Sequence, residues 1–207
     1  MYKRQTLYLC TDSGLMSCDT VEESVERAIQ GGVSVVQLRE KEVSSRELFE
    51  LAKRVKRVTD KYYVPLIIND RLDICLAVDA AGVHLGQTDL PCSEARRILG
   101  AEKIIGVSAA TPEEAAKAQS DGADYLGVGA VFATSTKTNT RPVTAETIRA
   151  IRSAVDIPFV VIGGVNSENI SGLHGLGING AAVISAIISQ PDITAAARKM
   201  RQAAERL

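Results

Sequence analysis

Two periodicities alternate along the chain. Short apolar runs rich in β-branched residues, "LYLC", "VSVVQL", "PLIIN", "GVHL", "KIIGV", "DYLGV", "FVVIG" and "AAVIS", recur between longer amphipathic segments. The runs are nearly continuous in their apolarity, the pattern of strands covered on both faces; a half-exposed strand would alternate. The longer segments carry helix starts. Thr20 and Glu23, Ser44 and Glu47, and Thr111 and Glu114 stand at capping-box spacing, and Pro112 takes the first helical position of the third. In the second, Leu48, Leu51, Val55 and Val58 mark one apolar face.

A loose repeat links the two patterns. "GGVSVVQL", "AAGVHLGQ", "SDGADYLG" and "INGAAVIS" each place a glycine ahead of a small or branched residue and an apolar strand. Such a glycine can end a helix in the left-handed conformation before the chain enters a parallel strand. The eight strand–helix units in 207 residues predict an α/β protein, a single-domain (β/α)8 TIM barrel over residues 1–207. A doubly wound sheet usually stops at about five or six strands. No Pro/Ser-rich linker divides the chain.

Composition removes several classes of function. A formal net charge of -1 argues against nucleic-acid binding driven by bulk electrostatics. An aromatic content of 4%, without tryptophan, leaves little for base stacking. The start, "MYKRQTLYLC", has basic residues but no sustained apolar region, so no signal peptide is expected. No apolar stretch approaches the roughly 20 residues that span a bilayer. Cys10, Cys18, Cys75 and Cys92 are scattered without a C-x-x-C pair, which favours reduced thiols in a cytoplasmic protein. Oligomeric state is not legible, because an apolar helix face serves equally as core or as interface.

In a barrel of this kind ligands gather on the loops after the strands. Gln37, Arg39 and Lys41 alternate after the second strand and project to one side of an extended backbone. Two cations placed so repel each other unless an anion lies between them; compensation by Glu40 and Glu42 at a solvated strand end is the alternative. Asn69 and Asp70 follow the third strand, and Gln87 and Asp89 the fourth. The two aspartates can converge on Mg²⁺, which takes a couple of carboxylates plus phosphate oxygens and water. Helix capping is their alternative use, Asp70 ahead of "RLDICLAV" and Asp89 ahead of Pro91.

Ser108 follows the fifth strand, and "FATSTKTNT" the sixth, with Lys137 among hydroxyls. "IGGVNSENI" sets Gly163 and Gly164 between the seventh strand and an expected helix start, and Ile184 and Ser185 follow the eighth. Loops after strands seven and eight often hold phosphate. His84, inside an apolar strand, reads as a satisfied core histidine, and His174 as exposed at a helix end. No Ser-His-Asp arrangement or metal-spaced His/Cys cluster appears, against a triad hydrolase or a zinc enzyme.

"QLREK", "INDRLDICLAVDAAGVHLGQTDLP", "GVSAATPEEA", "GVGAVFATSTK", "VVIGGV" and "VISAI" occur in this order along nearly the whole chain. Together they resemble the motifs of the thiamine phosphate synthase family of (β/α)8 barrels. The resemblance implies a transferase of thiamine biosynthesis. It would join a pyrimidine diphosphate to a thiazole phosphate and release diphosphate with Mg²⁺ as cofactor. It implies Asp70 and Asp89 as metal ligands. For the pyrimidine diphosphate it implies Gln37, Leu38, Arg39, Glu40, Lys41, Asn69, Ser108 and Lys137, with Arg39, Lys41, Ser108 and Lys137 catalytic. Thr134, Ser135, Thr136, Gly164, Ile184 and Ser185 match the thiazole phosphate site. The partners implied are small molecules, with neither nucleic acid nor membrane.

Two positions depart from the family pattern: Ala133 stands where proline is frequent, and "GAEKIIG" lacks a proline. The related tautomerase branch shares the barrel but uses a histidine shortly after the residue matching Ser108; here Ala109, Ala110 and Thr111 follow. A non-catalytic phosphate sensor would need the glycines but not the paired aspartates.

Overall fold

The structure, a computed structural model, describes residues 7–133 and 142–207. Eight parallel strands pair in chain order and close: β1 (Leu7–Cys10), β2 (Val35–Leu38), β3 (Leu66–Asn69), β4 (Gly82–Leu85), β5 (Ile104–Ala109), β6 (Tyr125–Gly129), β7 (Phe159–Ile162) and β8 (Gly180–Val183). The ring closes where β8 pairs with β1, with Ala181 opposite Leu7 and Val183 opposite Leu9. Around it lie α1 (Val21–Gln30), α2 (Ser45–Lys61), α3 (Leu72–Ala77), α4 (Cys92–Leu99), α5 (Pro112–Ser120), α6 (Ala145–Ala154), α7 (Ser185–Ile188) and α8 (Ile193–Ala204). This is the (β/α)8 barrel expected from the pattern.

The helix starts follow the capping chemistry. Thr20, Ser44 and Thr111 each accept the backbone N–H three residues on. Ser44 and Glu47 complete the reciprocal box, each side chain taking the other's backbone N–H. The Glu114 carboxylate instead takes the N–H of Ala110 at 2.7 Å, one residue ahead of the cap.

Some local expectations fail. Gln37, Asn69 and Ser108, expected just beyond the second, third and fifth strands, lie within β2, β3 and β5. No α-helix follows β7; the chain forms only a 3₁₀ turn, Ile170–Leu173. The reason is competition from side chains. Asn166 Oδ1 accepts the N–H groups of Glu168 and Asn169, and Asn169 Oδ1 accepts that of Asn166. These local bonds hold the backbone in turns that a helix cannot share. The eighth strand ends ahead of Ile184 and Ser185, as expected. It stops at Val183, and Ser185 opens the short α7.

Each strand contributes alternate residues to two layers. Leu7, Leu9, Val36, Leu38, Leu66, Ile68, Val83 and Leu85 belong to the large core between strands and helices. Tyr8, Cys10, Val35, Ile67, Ile104, Tyr125, Val160 and Ala182 fill the barrel interior. Two tyrosines are bulky for that space, and a glycine makes room. Gly106 lies opposite Tyr125 in the β5–β6 register, and a Cβ there would overlap the phenol ring. Gly106→Ala is therefore expected to destabilise the protein by about 1–3 kcal/mol through overpacking. A urea titration would read this as a lower midpoint at unchanged slope, and an unchanged midpoint would mean that the interior has slack at this layer.

Candidate functional site

The end of β2 and the loop after it carry the basic cluster, Gln37 and Leu38 within the strand and Arg39 to Lys41 beyond it. Its residues go to different places. Gln37 and Arg39 line the cavity at the open end of the barrel. Leu38 has its side chain in the strand–helix core, 1% exposed, so only its backbone can meet a ligand. The Glu40 carboxylate turns to the β1–α1 loop, where it accepts the Thr11 hydroxyl at 3.0 Å, the Ser13 hydroxyl at 2.6 Å and the Ser13 N–H at 3.3 Å. It thus ties down a neighbouring loop and does not offset Arg39 or Lys41. Arg39 faces Asp12 of that loop at 3.5 Å, and Lys41 faces Asp70 at 3.8 Å.

Neither aspartate caps a helix. Helices α3 and α4 have no side-chain cap at their starts. Asp70 has φ of 62°, in the left-handed region uncommon outside glycine. Its N–H donates to the carbonyl of His84 at 2.9 Å, which anchors the residue to the end of β4. Asp89 closes its own turn by accepting the N–H of Gly86 at 2.6 Å. The two carboxyls meet. Partial burial, and after it the adjoining Asp89 carboxyl, push Asp70 up to about 6, against a smaller opposing pull from Lys41.

Among the described residues no group of three or more His, Cys, Asp or Glu side chains forms. A two-carboxylate oxygen set suits Mg²⁺, which completes its shell from water and phosphate; zinc takes nitrogen and sulfur ligands.

Below this rim the cavity has a polar floor that the motif reading missed. Gln37 Nε2 donates to the Tyr8 hydroxyl at 2.9 Å, and the Tyr8 and Tyr125 hydroxyls lie 2.8 Å apart. The Tyr125 hydroxyl is 2.9 Å from His84 Nδ1, and His84 Nε2 is 3.0 Å from the Ser108 hydroxyl. His84 is a satisfied histidine, as expected, but it lines the cavity with Tyr8, Gln37, Asn69, Ser108 and Tyr125. The usable signal was parity, since these residues occupy the alternate strand positions that face the interior. Burial pushes both phenols and the Cys10 thiol up, the thiol to about 12, so all three stay protonated. His174 is exposed at the end of the 3₁₀ turn, as expected.

Gly164, Ile184 and Ser185 line the opposite wall with Gly163. Gly163 and Gly164 have φ of 98° and 63°. A Cβ on Gly163 would sit 2.5 Å from Ala130 Cβ, and one on Gly164 would sit 2.8 Å from Phe132 Cβ. The glycines are thus required by the loop leaving β6, whose Phe132 N–H donates to the Gly163 carbonyl at 3.0 Å. With only a 3₁₀ turn following, a long helix dipole does not assist this turn. Thr134, Ser135, Thr136 and Lys137 lie outside the described residues.

The comparisons agree with the motifs. The family model described as thiamine monophosphate synthase matches residues 7–187. A thiamine-phosphate synthase from Ruminiclostridium cellulolyticum is 58% identical over 195 residues, covering 94% of this chain and 93% of its own. One from Clostridium botulinum is 52% identical over 202 residues, covering 98% and 95%. Among solved structures, a thiamine phosphate pyrophosphorylase from Pyrococcus furiosus superposes with a TM-score of 0.89 at 39% identity, covering 97% of this chain and 96% of that one. With a match over most of the barrel and more than half the residues shared with a full-length relative, the chain belongs to the thiamine monophosphate synthase family and is a transferase of thiamine biosynthesis.

Proposed function

We propose that the chain joins 4-amino-2-methyl-5-(diphosphooxymethyl)pyrimidine to 4-methyl-5-(2-phosphooxyethyl)thiazole in a Mg²⁺-dependent reaction, forming thiamine phosphate and diphosphate. The observation that carries this reading is the meeting of the Asp70 and Asp89 carboxyls beside Lys41, at the rim of a cavity floored by neutral polar groups. Two carboxylates pressed together resist ionisation, and a hard divalent cation relieves that repulsion with oxygen ligands alone. Mg²⁺ held by Asp70 and Asp89 would supply charge neutralisation for the diphosphate oxygens. Arg39 and Lys41 would leave Asp12 and Asp70 to bind the same oxygens. Lys137 would add a third cation.

The bond between the pyrimidinyl methylene carbon and the ester oxygen breaks, and its electron pair leaves on the diphosphate. The amino-substituted ring stabilises the cation left behind, and the thiazole nitrogen donates its lone pair to form the new C–N bond. Neither step needs a side-chain nucleophile or base. The protein's work is therefore positioning and leaving-group stabilisation. Gln37, Asn69 and Ser108 would hold the pyrimidine diphosphate, with backbone contacts available from Leu38 and Glu40. Gly164, Ile184 and Ser185, with Thr134, Ser135 and Thr136, would hold the thiazole phosphate. A cytoplasmic location suits four free cysteines. Among the described residues no helix is long and apolar enough to cross a membrane.

The purified protein is expected to form thiamine phosphate only with Mg²⁺, to lose activity in EDTA and to regain it on adding metal. No product at saturating substrates and metal would reject the assignment. Asp70→Asn should lower turnover at least about 10- to 100-fold, the scale of one charged contact of about 1.5–3 kcal/mol. Its thermal midpoint should hold or rise, because a carboxylate repulsion is removed and asparagine tolerates a positive φ. Wild-type turnover in this variant would remove Asp70 from the site. Lys137→Ala should reduce turnover on the same scale with the midpoint unchanged, and an unaltered rate would take Lys137 out of the reaction.

A further inference from the structure

The line of groups across the cavity floor, Gln37–Tyr8–Tyr125–His84–Ser108, has a direction as well as a set of distances. A phenol hydroxyl has one proton to donate. Tyr8 accepts from Gln37 Nε2, and the acceptor that the structure offers its own proton is the Tyr125 oxygen. Tyr125 then donates to His84 Nδ1, which must be the unprotonated ring nitrogen. The ring proton therefore sits on Nε2 and is donated to the Ser108 oxygen. At the two ends, the Gln37 amide oxygen and the Ser108 hydroxyl proton remain available to a ligand of the cavity.

We propose that Tyr8 and Tyr125 are positioning residues: their coupled hydroxyls fix the amide orientation of Gln37 and the Nε2–H tautomer of His84, so that the floor presents an acceptor at Gln37 and a donor at Ser108. Each phenol is 1% exposed, and its hydroxyl is engaged by its neighbours in the line. The barrel is shaped to hold this line. A Cβ on Gly106 would overlap the Tyr125 ring, and one on Gly127 would come within 3.0 Å of His84 Cε1. The bonds of the line reverse together or not at all: the opposite sense would need the Gln37 amide turned over, His84 protonated on Nδ1 and Ser108 donating to Nε2. An aminopyrimidine ester has an amine that donates and ring nitrogens and ester oxygens that accept. That match rests on the function proposed above, whereas the tautomer does not.

The tautomer is read by ¹H–¹⁵N long-range NMR of the full-length protein at alkaline pH, which separates Nδ1–H from Nε2–H; His174 is the only other histidine. Wild-type His84 should be the Nε2–H form, and the Nδ1–H form would overturn the inference whatever the activity. Tyr125→Phe removes the donor to Nδ1 and should shift His84 away from the pure Nε2–H form. Tyr8→Phe leaves Tyr125 facing Nδ1 and should preserve the tautomer while freeing the Gln37 amide.

Each variant should lose about tenfold in kcat/KM for the pyrimidine diphosphate, the scale of one hydrogen bond, with KM for the thiazole phosphate unchanged. An equal tautomer shift in both variants, or equal losses for both substrates, would indicate a general disturbance of the interior and end the proposal. Failure of the wild-type protein to make thiamine phosphate would remove the functional reading alone.

Discussion

Closing eight parallel strands into a ring gives every strand residue one of two environments and brings all eight strand ends to the same rim. One parity packs under the helices, where Leu38, Val83 and Leu126 are buried. The other parity faces a narrow interior whose contents must be apolar or mutually hydrogen-bonded. Tyr8, Gln37, His84, Ser108 and Tyr125 meet that demand together. None of them finds its partner within its own strand. The polar floor exists because the ring closes, and a sheet opened between any two of these strands would leave buried donors without acceptors.

The rim is governed by charge. Asp12 and Arg39, and Asp70 and Lys41, face each other across loops from adjacent strands. These pairs are partly exposed and long, so they contribute little to stability. Their weakness would suit the diphosphate site proposed above, because an incoming anion would compete with a loosely held carboxylate and not with a tight salt bridge. The Glu40 carboxylate has a different part. By gathering Thr11 and Ser13 it fixes the loop that carries Asp12, and so controls what Arg39 faces before any ligand arrives.

The Asp70–Asp89 contact runs against this economy of weak pairs. Like charges are brought together at a residue of positive φ, with one carboxyl anchored by the Gly86 N–H and the other held by the backbone link between Asp70 and His84. Nothing in folding alone favours this arrangement. A cation between the two groups would, which is the role proposed above for Mg²⁺.

Much was legible in the chain itself. Apolar runs covered on both faces, helix starts at Thr20, Ser44 and Thr111, and polar residues clustered just beyond the runs are local features, and local features determine strands, caps and the rim on which ligands gather. Where local chemistry conflicted, the sequence misled: Asn166 and Asn169 turned an expected helix after β7 into a 3₁₀ turn. The destination of each side chain was decided only by tertiary structure. Glu40 within "QLREK" was indistinguishable from a ligand until the β1–α1 loop was beside it. Gly163 and Gly164 line the cavity, but the close approach of the chain leaving β6, which leaves no room for a Cβ at either, is visible only in the tertiary structure. His84 was correctly read as satisfied, but its partners come from β5 and β6, and no spacing within one strand encodes a neighbour that only barrel closure supplies.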